Sequence, residues 1–394
     1  MSFREGTSTT ATENQVLIVA AEASSFHYAA QLLRAWKAQG RNIQAFGVGS
    51  PEMEAMGFER LGRSEDMAIV GAVEILNAFG MLKGVFDRLV QAAVERRPKV
   101  AIVMDYPEFN LLLSRKLHKL GIPVVYYISP QVWAWRRGRV QTIKKYCRKV
   151  LLLFPFEIPF YEQNQVPNVF VGHPILDELD PRFLDPVYRK THRGQVGIKP
   201  GDVVLGLMPG SRRLELRQHF AIQLEVAKRL SLKHPQVKVL ILVAPSFEKE
   251  DLLPYLEDFR MPYILLKDDP FRMIHLTDMI LAASGTATLM VGLLHKPMVI
   301  MYRMKFLTSL IAKTLVRGAK FFGIVNLILD REVVPERFQA DANPEELSRL
   351  LERYILEPDY RDHVVNELKT LEACLGEKGA TARVLAALDE YLVP

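Results

Sequence analysis

A pair of carboxylates in the first half of the sequence stands where a general base could act. Asp105 and Glu108 follow Val100–Met104, a short apolar segment that predicts a buried strand. Ligands of parallel sheets bind beyond the carboxyl ends of the strands, so Asp105 could accept a proton from a reacting hydroxyl there. The alternative is that Asp105 or Glu108 caps the following helix. Glu22, which ends the first predicted strand, is either a substrate contact or a buried, paired carboxylate.

Two small-residue turns in the second half could hold phosphate groups. Pro209-Gly210-Ser211-Arg212 follows an apolar strand and opens a helix, where backbone N–H groups and Arg212 could bind an anion. Ser284-Gly285-Thr286-Ala287-Thr288 stands at a second such junction, and its hydroxyls could donate to phosphate oxygens. A simple strand–helix turn explains the first tetrapeptide equally well. Two such turns in one half favour a nucleotide diphosphate site, and the lack of GxxxxGK[ST] argues against a P-loop ATPase.

An aromatic and basic segment allows two interpretations. Ser129–Trp135 contains two tryptophans, and no acid occurs between Trp133 and Val150. Aromatic side chains beside basic ones could bind nucleic acid. A solvated helix face with the tryptophans in the core explains the segment equally well. The basic residues that follow are Arg136, Arg137, Arg139, Lys144, Lys145, Arg148 and Lys149.

The segment from Gly71 to Val90 carries more apolar side chains than a surface helix usually needs. It could lie in a membrane interface or line a groove for acyl chains. An ordinary core helix is the alternative at even odds. The candidate contact residues are Val73, Ile75, Leu76, Phe79, Leu82 and Phe86.

Short apolar strands alternate with helices along most of the 394 residues, which predicts an α/β fold with parallel sheets. A looser stretch rich in Pro and Asp divides the pattern into two Rossmann-like halves. The predicted parts are a first domain over 1–175, a linker over 176–200, a second domain over 201–343, and C-terminal helices over 344–394. We expect the C-terminal helices to pack back on the first domain.

The composition limits the function classes. A net charge of +6 favours anionic partners such as phosphosugars, nucleic acid or an acidic membrane face. Two distant cysteines fit a reducing compartment, and the nine histidines show no metal-ligand spacing, so no metal site is predicted. The polar N-terminus lacks the pattern of a signal peptide. We therefore expect a cytoplasmic protein that is peripheral to a membrane at most.

Taken together, these segments resemble the lipid-A-disaccharide synthase family from about Val16 to Gln339. The most specific shared element is Ser129-Pro-Gln-Val-Trp-Ala-Trp-Arg136. Other matching motifs, in chain order, are Phe154-Pro-Phe-Glu157, Gly172-His-Pro174, Pro209-Gly-Ser-Arg212, Ser284-Gly-Thr-Ala287, Tyr302-Arg-Met304 and Asn326 with Arg331-Glu332. So many matches in the same order are not expected by chance.

The resemblance implies a GT-B fold, with two Rossmann-like domains whose parallel sheets face a central cleft. It also implies an inverting transfer of a sugar from UDP-2,3-diacylglucosamine to 2,3-diacylglucosamine 1-phosphate, without a metal or another cofactor. Asp105 would be the base, and Arg212 and the turn at Gly285 would hold the diphosphate. Glu22 and Asn326 would belong to the same cleft. The UDP-sugar contacts would be Gly210, Ser211, Arg212, Ser284, Gly285, Thr286, Ala287 and Tyr302.

The resemblance also bears on partners and on the rival functions. It favours the membrane interpretation of Gly71–Val90, at the inner face of the cytoplasmic membrane, and makes nucleic acid binding unnecessary. A homodimer is one of the assemblies it allows. Two positions depart from the family motifs: Phe26 stands where the family has Asp, and Met290 where it has Glu. These departures keep a second hypothesis open, a diverged paralogue with another sugar or without activity.

Overall fold

The computed structural model describes residues 14–64, 67, 75–130, 132, 138–303 and 321–392. Its contacts divide the chain into two compact units, each built on its own sheet. The first unit runs to Pro174 and resumes at Gly379, and the second is Ile175–Lys378. The chain therefore passes between the units twice.

The first unit has a seven-stranded parallel sheet in the order β3-β2-β1-β4-β5-β6-β7. Its central strands are apolar and buried, which is the pattern of a sheet covered by helices on both faces. The first four strands in this order, β3-β2-β1-β4, have the nucleotide-binding Rossmann order. The strands are β1 (Asn14–Ala20), β2 (Ile43–Gly49), β3 (Glu59–Arg63), β4 (Val100–Met104), β5 (Val124–Tyr127), β6 (Lys149–Leu152) and β7 (Asn168–Phe170).

The second unit repeats the arrangement with six parallel strands in the order β10-β9-β8-β11-β12-β13. Two doubly wound parallel sheets confirm the predicted fold class. The strands are β8 (Val203–Met208), β9 (Val237–Leu242), β10 (Tyr263–Leu266), β11 (Met279–Ala283), β12 (Met298–Tyr302) and β13 (Glu336–Phe338).

Helices follow most of the strands and cover the sheets. Those of the first unit are α1 (Ala23–Ala38), α2 (Pro51–Ala55), α3 (Ile75–Arg96), α4 (Pro107–Lys119), α5 (Arg139–Tyr146), α6 (Ile158–Gln163) and, at the end of the chain, α16 (Ala380–Leu392). Those of the second unit are α7 (Ile175–Glu178), α8 (Pro186–Gln195), α9 (Arg213–Lys233), α10 (Lys249–Leu256), α11 (Pro270–Ile274), α12 (Ala287–Leu293), α13 (Ile324–Leu329), α14 (Pro344–Leu356) and α15 (Pro358–Lys369).

The stretch 176–200 differs from the predicted linker, because it folds as part of the second unit. In α8, Arg189 donates to the carbonyl oxygen of His275 at 2.7 Å and to Asp278 at 2.7 Å. Arg193 reaches the other oxygen of Asp278 at 2.6 Å. Two guanidinium groups on one carboxylate fasten this helix to the start of β11.

The C-terminal helices divide between the two units. Residues up to Lys378, which include α14 and α15, belong to the second unit, and only the end of the chain returns to the first. In α16, Arg383 donates to the carbonyl oxygen of Val171 at 2.8 Å, and Asp389 pairs with Arg41. Only α16 therefore matches the expectation that the C-terminal helices pack on the first domain.

The buried histidine of the first unit should make stability fall in acid. His173 packs beside Tyr28 and Phe154, and burial lowers its pKa to about 3. Unfolded histidine titrates near pH 6.5, so below that pH the unfolded chain binds a proton that the folded chain does not. We expect the free energy of unfolding to drop by up to about 1.4 kcal/mol per pH unit from this residue as pH falls from 6.5 towards 4. Urea unfolding at several pH values measures this effect. The unfolding free energy of His173→Gln should depend less steeply on pH than that of the unmodified chain, whereas His118→Gln, at an exposed site, should keep the original slope. Equal slopes in all three proteins would contradict this.

Candidate functional site

The carboxyl ends of β1 and β4 bring Glu22 and Asp105 to one edge of the first sheet. The two strands are neighbours, with Ala20 opposite Met104 in the register. Asp105 is the residue directly after β4, and Glu22 lies two residues after β1. Burial raises the pKa of Tyr106, and the charges of Glu22 and Glu108 raise it further. Three acidic residues, Glu22, Asp105 and Glu108, therefore lie near the turn that contains Tyr106.

The backbone at Asp105 is strained. Asp105 and Tyr106 both adopt the left-handed conformation, with φ of 48° and 41°. Such a conformation costs on the order of 1–3 kcal/mol for each non-glycine residue and persists only where neighbours enforce it. Here the N–H of Asp105 donates to the carbonyl of Ile128 at 3.1 Å, and its own carbonyl accepts from Asn110 and Tyr126, each at 2.7 Å. The surrounding structure thus holds the Asp105 backbone in this conformation.

The helix-cap interpretation of the two acids does not match the geometry of α4. The N-cap residue is Tyr106, whose side chain makes no capping hydrogen bond. Glu108 is exposed and forms an ion pair with Arg139 at the start of α5. Of the two carboxylates, Asp105 is the one at the strand end and partly buried.

Glu22 begins α1, and the small residue at position 25 fixes its backbone. The buried hydroxyl of Ser25 accepts from the N–H of Glu22 at 2.9 Å and donates to its carbonyl oxygen at 2.9 Å. Phe26, the first departure from the family motif, is partly buried one residue further on. The turn after β1 is therefore set by local hydrogen bonds.

The turn after β8 differs from an open anion site. Gly210 has φ of 116°, and Glu215 lies so close that a β-carbon there would be 2.5 Å from its carboxylate. The same carboxylate accepts from the N–H groups of Ser211 at 2.9 Å and Arg212 at 3.3 Å. The expectation that these N–H groups face a substrate anion is therefore corrected, because Glu215 occupies them. The Arg212 side chain remains half exposed, 3.9 Å from Glu215.

The turn after β11 is more open. Gly285 and Thr286 are exposed, and a β-carbon on Gly285 would meet no atom within 4 Å. Thr288, however, is fully buried, and its hydroxyl donates to the carbonyl oxygen of Gly285 at 2.8 Å. The Thr288 hydroxyl is therefore committed to the turn, whereas Ser284 is partly buried and Thr286 is exposed.

A buried histidine connects the loops after β8 and β12. His219 of α9 lies 3.2 Å from the carbonyl oxygen of Pro209 through Nδ1, and its Nε2 accepts from the N–H of Arg303 at 3.0 Å. Burial lowers the pKa of His219, which favours a neutral ring. Tyr302 packs against this ring at 5.5 Å between ring centres. Burial and the charge of Glu215 raise the pKa of Tyr302, and Arg212 opposes this rise. The fold thus gathers Arg212 and Tyr302 at one sheet edge.

Asn326, which the resemblance places in the cleft, is enclosed by groups of the protein itself. The residue is fully buried in α13. Its amide nitrogen donates to the Val334 carbonyl and to Glu336, each at 2.7 Å. Its oxygen accepts from the N–H groups of Val333 and Val334, at 2.8 and 3.1 Å. Both amide hydrogens and both acceptor positions of the Asn326 side chain are therefore used within the protein. Asn326 stabilises the loop that leads into β13.

Comparison with known proteins decides the family. A family model described as lipid-A-disaccharide synthetase matches residues 16–387. The lipid-A-disaccharide synthase of Geobacter sulfurreducens is 37% identical over 97% of this chain and 98% of its own. That of Anaeromyxobacter dehalogenans is 38% identical over 94% of this chain and 96% of its own. The chain belongs to the lipid-A-disaccharide synthase family. Members of this family are glycosyltransferases of the hexosyltransferase class.

Solved structures agree on the fold. The UDP-GlcNAc 2-epimerase of Neisseria meningitidis, bound to UDP-GlcNAc, has a TM-score of 0.64 at 11% identity, over 95% of this chain and all of its own. The calicheamicin glycosyltransferase CalG4 has a TM-score of 0.59 at 13% identity, over 97% of this chain and 100% of its own. Identities this low show the fold alone. The architecture is the GT-B fold of the lipid-A-disaccharide synthase family.

The apolar segment of this family member is in part a core helix. Leu82 and Phe86 of α3 pack against the core of the first unit, and Phe86 meets Phe109 edge-on at 5.8 Å. For these two residues the structure supports the core interpretation over an open membrane contact. Val73 lies outside the described residues, as do the side chains of Ile75, Leu76 and Phe79. Of the shared motifs, Gln131, residues 133–136 and Met304 lie outside as well.

Two site residues were missed by reasoning from the sequence. Glu215 stands three positions after Arg212, the spacing of a capping box, so the pattern was available to find it. His219 gave no local signal, because its partners lie 10 and 84 residues away. Both residues shape the loop that presents Arg212.

Proposed function

We propose that this chain transfers 2,3-diacylglucosamine from UDP to the 6-hydroxyl of 2,3-diacylglucosamine 1-phosphate, giving a β-1′,6 disaccharide and UDP. Family membership over nearly the whole chain carries this proposal. The test is disaccharide formation by the purified protein from both substrates. Product at an ordinary enzymatic rate would support the synthase, and correctly folded protein without product would favour the diverged paralogue.

Asp105 is the proposed general base. A carboxylate at the end of β4 could take the proton of the acceptor hydroxyl as that oxygen attacks the anomeric carbon from the face opposite UDP. Inversion follows from this single displacement. The strained, hydrogen-bonded backbone at Asp105 supports the role, since such strain is typical of active sites.

The donor diphosphate is proposed to bind at the carboxyl edge of β8 and β11. Arg212 is half exposed there and can give two parallel hydrogen bonds to phosphate oxygens. The open turn at Gly285 allows the diphosphate to approach the backbone closely. His219 acts as a positioning residue, because it ties the Arg212 loop to β12.

Metal independence is a further part of the proposal. Among the described residues, no group of three His, Cys, Asp or Glu side chains has the geometry to hold a metal ion. We propose that Arg212 neutralises the charge that develops on UDP as the bond to the sugar breaks. Turnover that is unchanged by excess EDTA would agree with this, and loss of turnover restored by Mg²⁺ would contradict it.

Gly285→Ala should separate ligand binding from stability. The position is exposed, its φ is not positive, and an added methyl group would meet no neighbour. We therefore expect an unchanged or slightly higher melting temperature, since Gly→Ala at such sites stabilises by about 0.4–1 kcal/mol. If the diphosphate approaches this backbone, KM for the UDP-sugar should rise at least about tenfold. Gly194→Ala, at an exposed and equally open site in α8, is the matched control; equal KM values for both variants would exclude the turn as a binding element.

Membrane association is proposed for the face of the first unit that carries α4 and α5. Leu112 of α4 is 61% exposed, and Arg115, Lys116 and Lys119 are exposed on the same helix. An apolar side chain among cations suits the inner face of a membrane with anionic lipids. No helix in the described part of the chain is long and apolar enough to span a bilayer. Co-sedimentation with anionic but not zwitterionic vesicles would support this membrane association.

A homodimer is a separate possibility for the assembly of the chain. Light scattering of the purified protein would test for it.

A further inference from the structure

The amino edge of the second sheet contains a cavity that the proposed reaction does not use. In a parallel sheet all strands begin at one edge, so the residues before β8, β11 and β12 lie together, opposite the loops that carry Arg212 and Gly285. The cavity has a volume of about 470 Å³, within the range of small-molecule sites. Strands of five or six residues separate the two edges by about 17–20 Å.

The cavity wall combines apolar and cationic side chains. Phe183 and Leu184 line one side, and Met279, Ile355 and Val365 line others. The charged residues at the wall are Arg189, Asp202, Asp278, Lys296 and Arg361. A pocket of this composition suits a ligand with an apolar body and one charged group.

Lys296 is the residue whose surroundings indicate a bound ligand. It directly precedes β12 and lies at the cavity wall, partly buried. Within the described part of the chain its ammonium group makes no hydrogen bond and no ion pair. Burial and the nearby cations Arg189 and Arg193 lower its pKa to about 7, against an opposing effect of Asp278. A desolvated ammonium without a counter-ion costs free energy, which a bound anion would recover.

The acids of the cavity do not supply that counter-ion. Asp278 is already shared between Arg189 and Arg193, at 2.7 and 2.6 Å, so this trio carries a net positive charge. Asp202 accepts from the backbone N–H of Lys199 at 2.7 Å. Arg361, which bonds the exposed Asp362 at 3.1 Å, adds a further cation at the wall. The local charge therefore favours an anion.

We propose that this cavity binds a small anionic amphiphile, with its phosphate or carboxylate head at Lys296 and Arg361 and its apolar body against Phe183, Met279 and Ile355. Such an anion is either an alkyl phosphate or a free fatty acid. The site is separate from the carboxyl-edge residues and is independent of the proposed reaction.

Calorimetric titration of the full chain with octyl phosphate and with octanoate tests the proposal and distinguishes the two heads. Both probes are used below their micelle concentrations at pH 7, with octan-1-ol as the neutral control. We expect saturable binding of one equivalent of at least one anion and none of the alcohol. Because the anion favours protonated Lys296, binding should take up to about half a proton, measured by repeating the titration in buffers of different ionisation enthalpy.

Lys296→Met should weaken binding at least tenfold and abolish the proton uptake, and Arg361→Gln should weaken it while keeping that uptake. Lys190→Met, at an exposed position of α8, is the matched control and should bind like the unmodified chain. Removing a buried charge should also raise the melting temperature of Lys296→Met, which shows that the variant folds. Absence of saturable binding, equal binding of octan-1-ol, or unchanged affinity in Lys296→Met would each overturn the proposal.

Discussion

Asp105→Asn is expected to lower turnover at least about a hundredfold while leaving the affinity for the UDP-sugar nearly unchanged. A positioned base typically contributes roughly 10²–10⁴-fold to a rate, and the amide cannot accept the proton. Asparagine tolerates the left-handed backbone of this position better than most residues, so the turn should keep its shape. Steady-state kinetics and calorimetric titration with the donor measure the two quantities separately.

Glu108→Gln provides the matched control for Asp105→Asn. It removes the other carboxylate of the same turn, which is exposed and paired with Arg139. Exposed pairs contribute about 0–1 kcal/mol to stability, so this variant should retain near-normal turnover. If Asp105→Asn kept most of its activity, the base would have to be another group, and Glu22 would be the next candidate.

Asn326→Ala should lower the free energy of unfolding by about 3–5 kcal/mol, because it leaves several buried groups without partners. The groups affected are the N–H groups of Val333 and Val334, the carbonyl of Val334 and the carboxylate of Glu336. Burial already raises the pKa of Glu336, and losing the Asn326 amide should raise it further. Urea unfolding followed by circular dichroism measures the loss.

Asn366→Ala is the control for a structural rather than catalytic role. Asn366 is exposed and accepts only from Lys369 at 3.0 Å among the described residues, so its loss should change stability by less than about 0.5 kcal/mol. A catalytic Asn326 would show the opposite pattern, with turnover lost and the unfolding midpoint kept. That result would indicate that Asn326 acts in the substrate site.

The central strands of both sheets and the edge strand β10 could be predicted from sequence, whereas the edge strands β3, β7 and β13 could not. Val100–Met104 and Val203–Met208 form strands at the predicted bounds, since an uninterrupted apolar run is typical of a strand buried on both faces. β3 and β13 read Glu59-Arg-Leu-Gly-Arg63 and Glu336-Arg-Phe338, with charged residues where the pattern requires apolar ones. Edge strands pair on one side only, so neighbours rather than composition decide that they form.

The candidate site shows the same division. Asp105, Arg212 and Gly285 could be located because each follows an apolar strand, and parallel strands must end at a common edge. The hydrogen-bond partners could not be located in this way. Glu215 occupies the N–H groups of the Arg212 turn, and Asn326 is enclosed by Val334 and Glu336.

The sequence by itself determined the two Rossmann-like halves, the family and the strand ends at which chemistry is expected. These properties depend on local hydrophobic patterns and on motifs that stand within a few residues of a strand. Tertiary structure alone decided that residues 176–200 join the second unit, that α16 returns to the first, and that Lys296 faces a cavity without a counter-ion among the described residues. The reason is physical: burial and hydrogen-bond pairing depend on residues distant in sequence, such as Arg189 with Asp278, and no local pattern encodes which of them will meet.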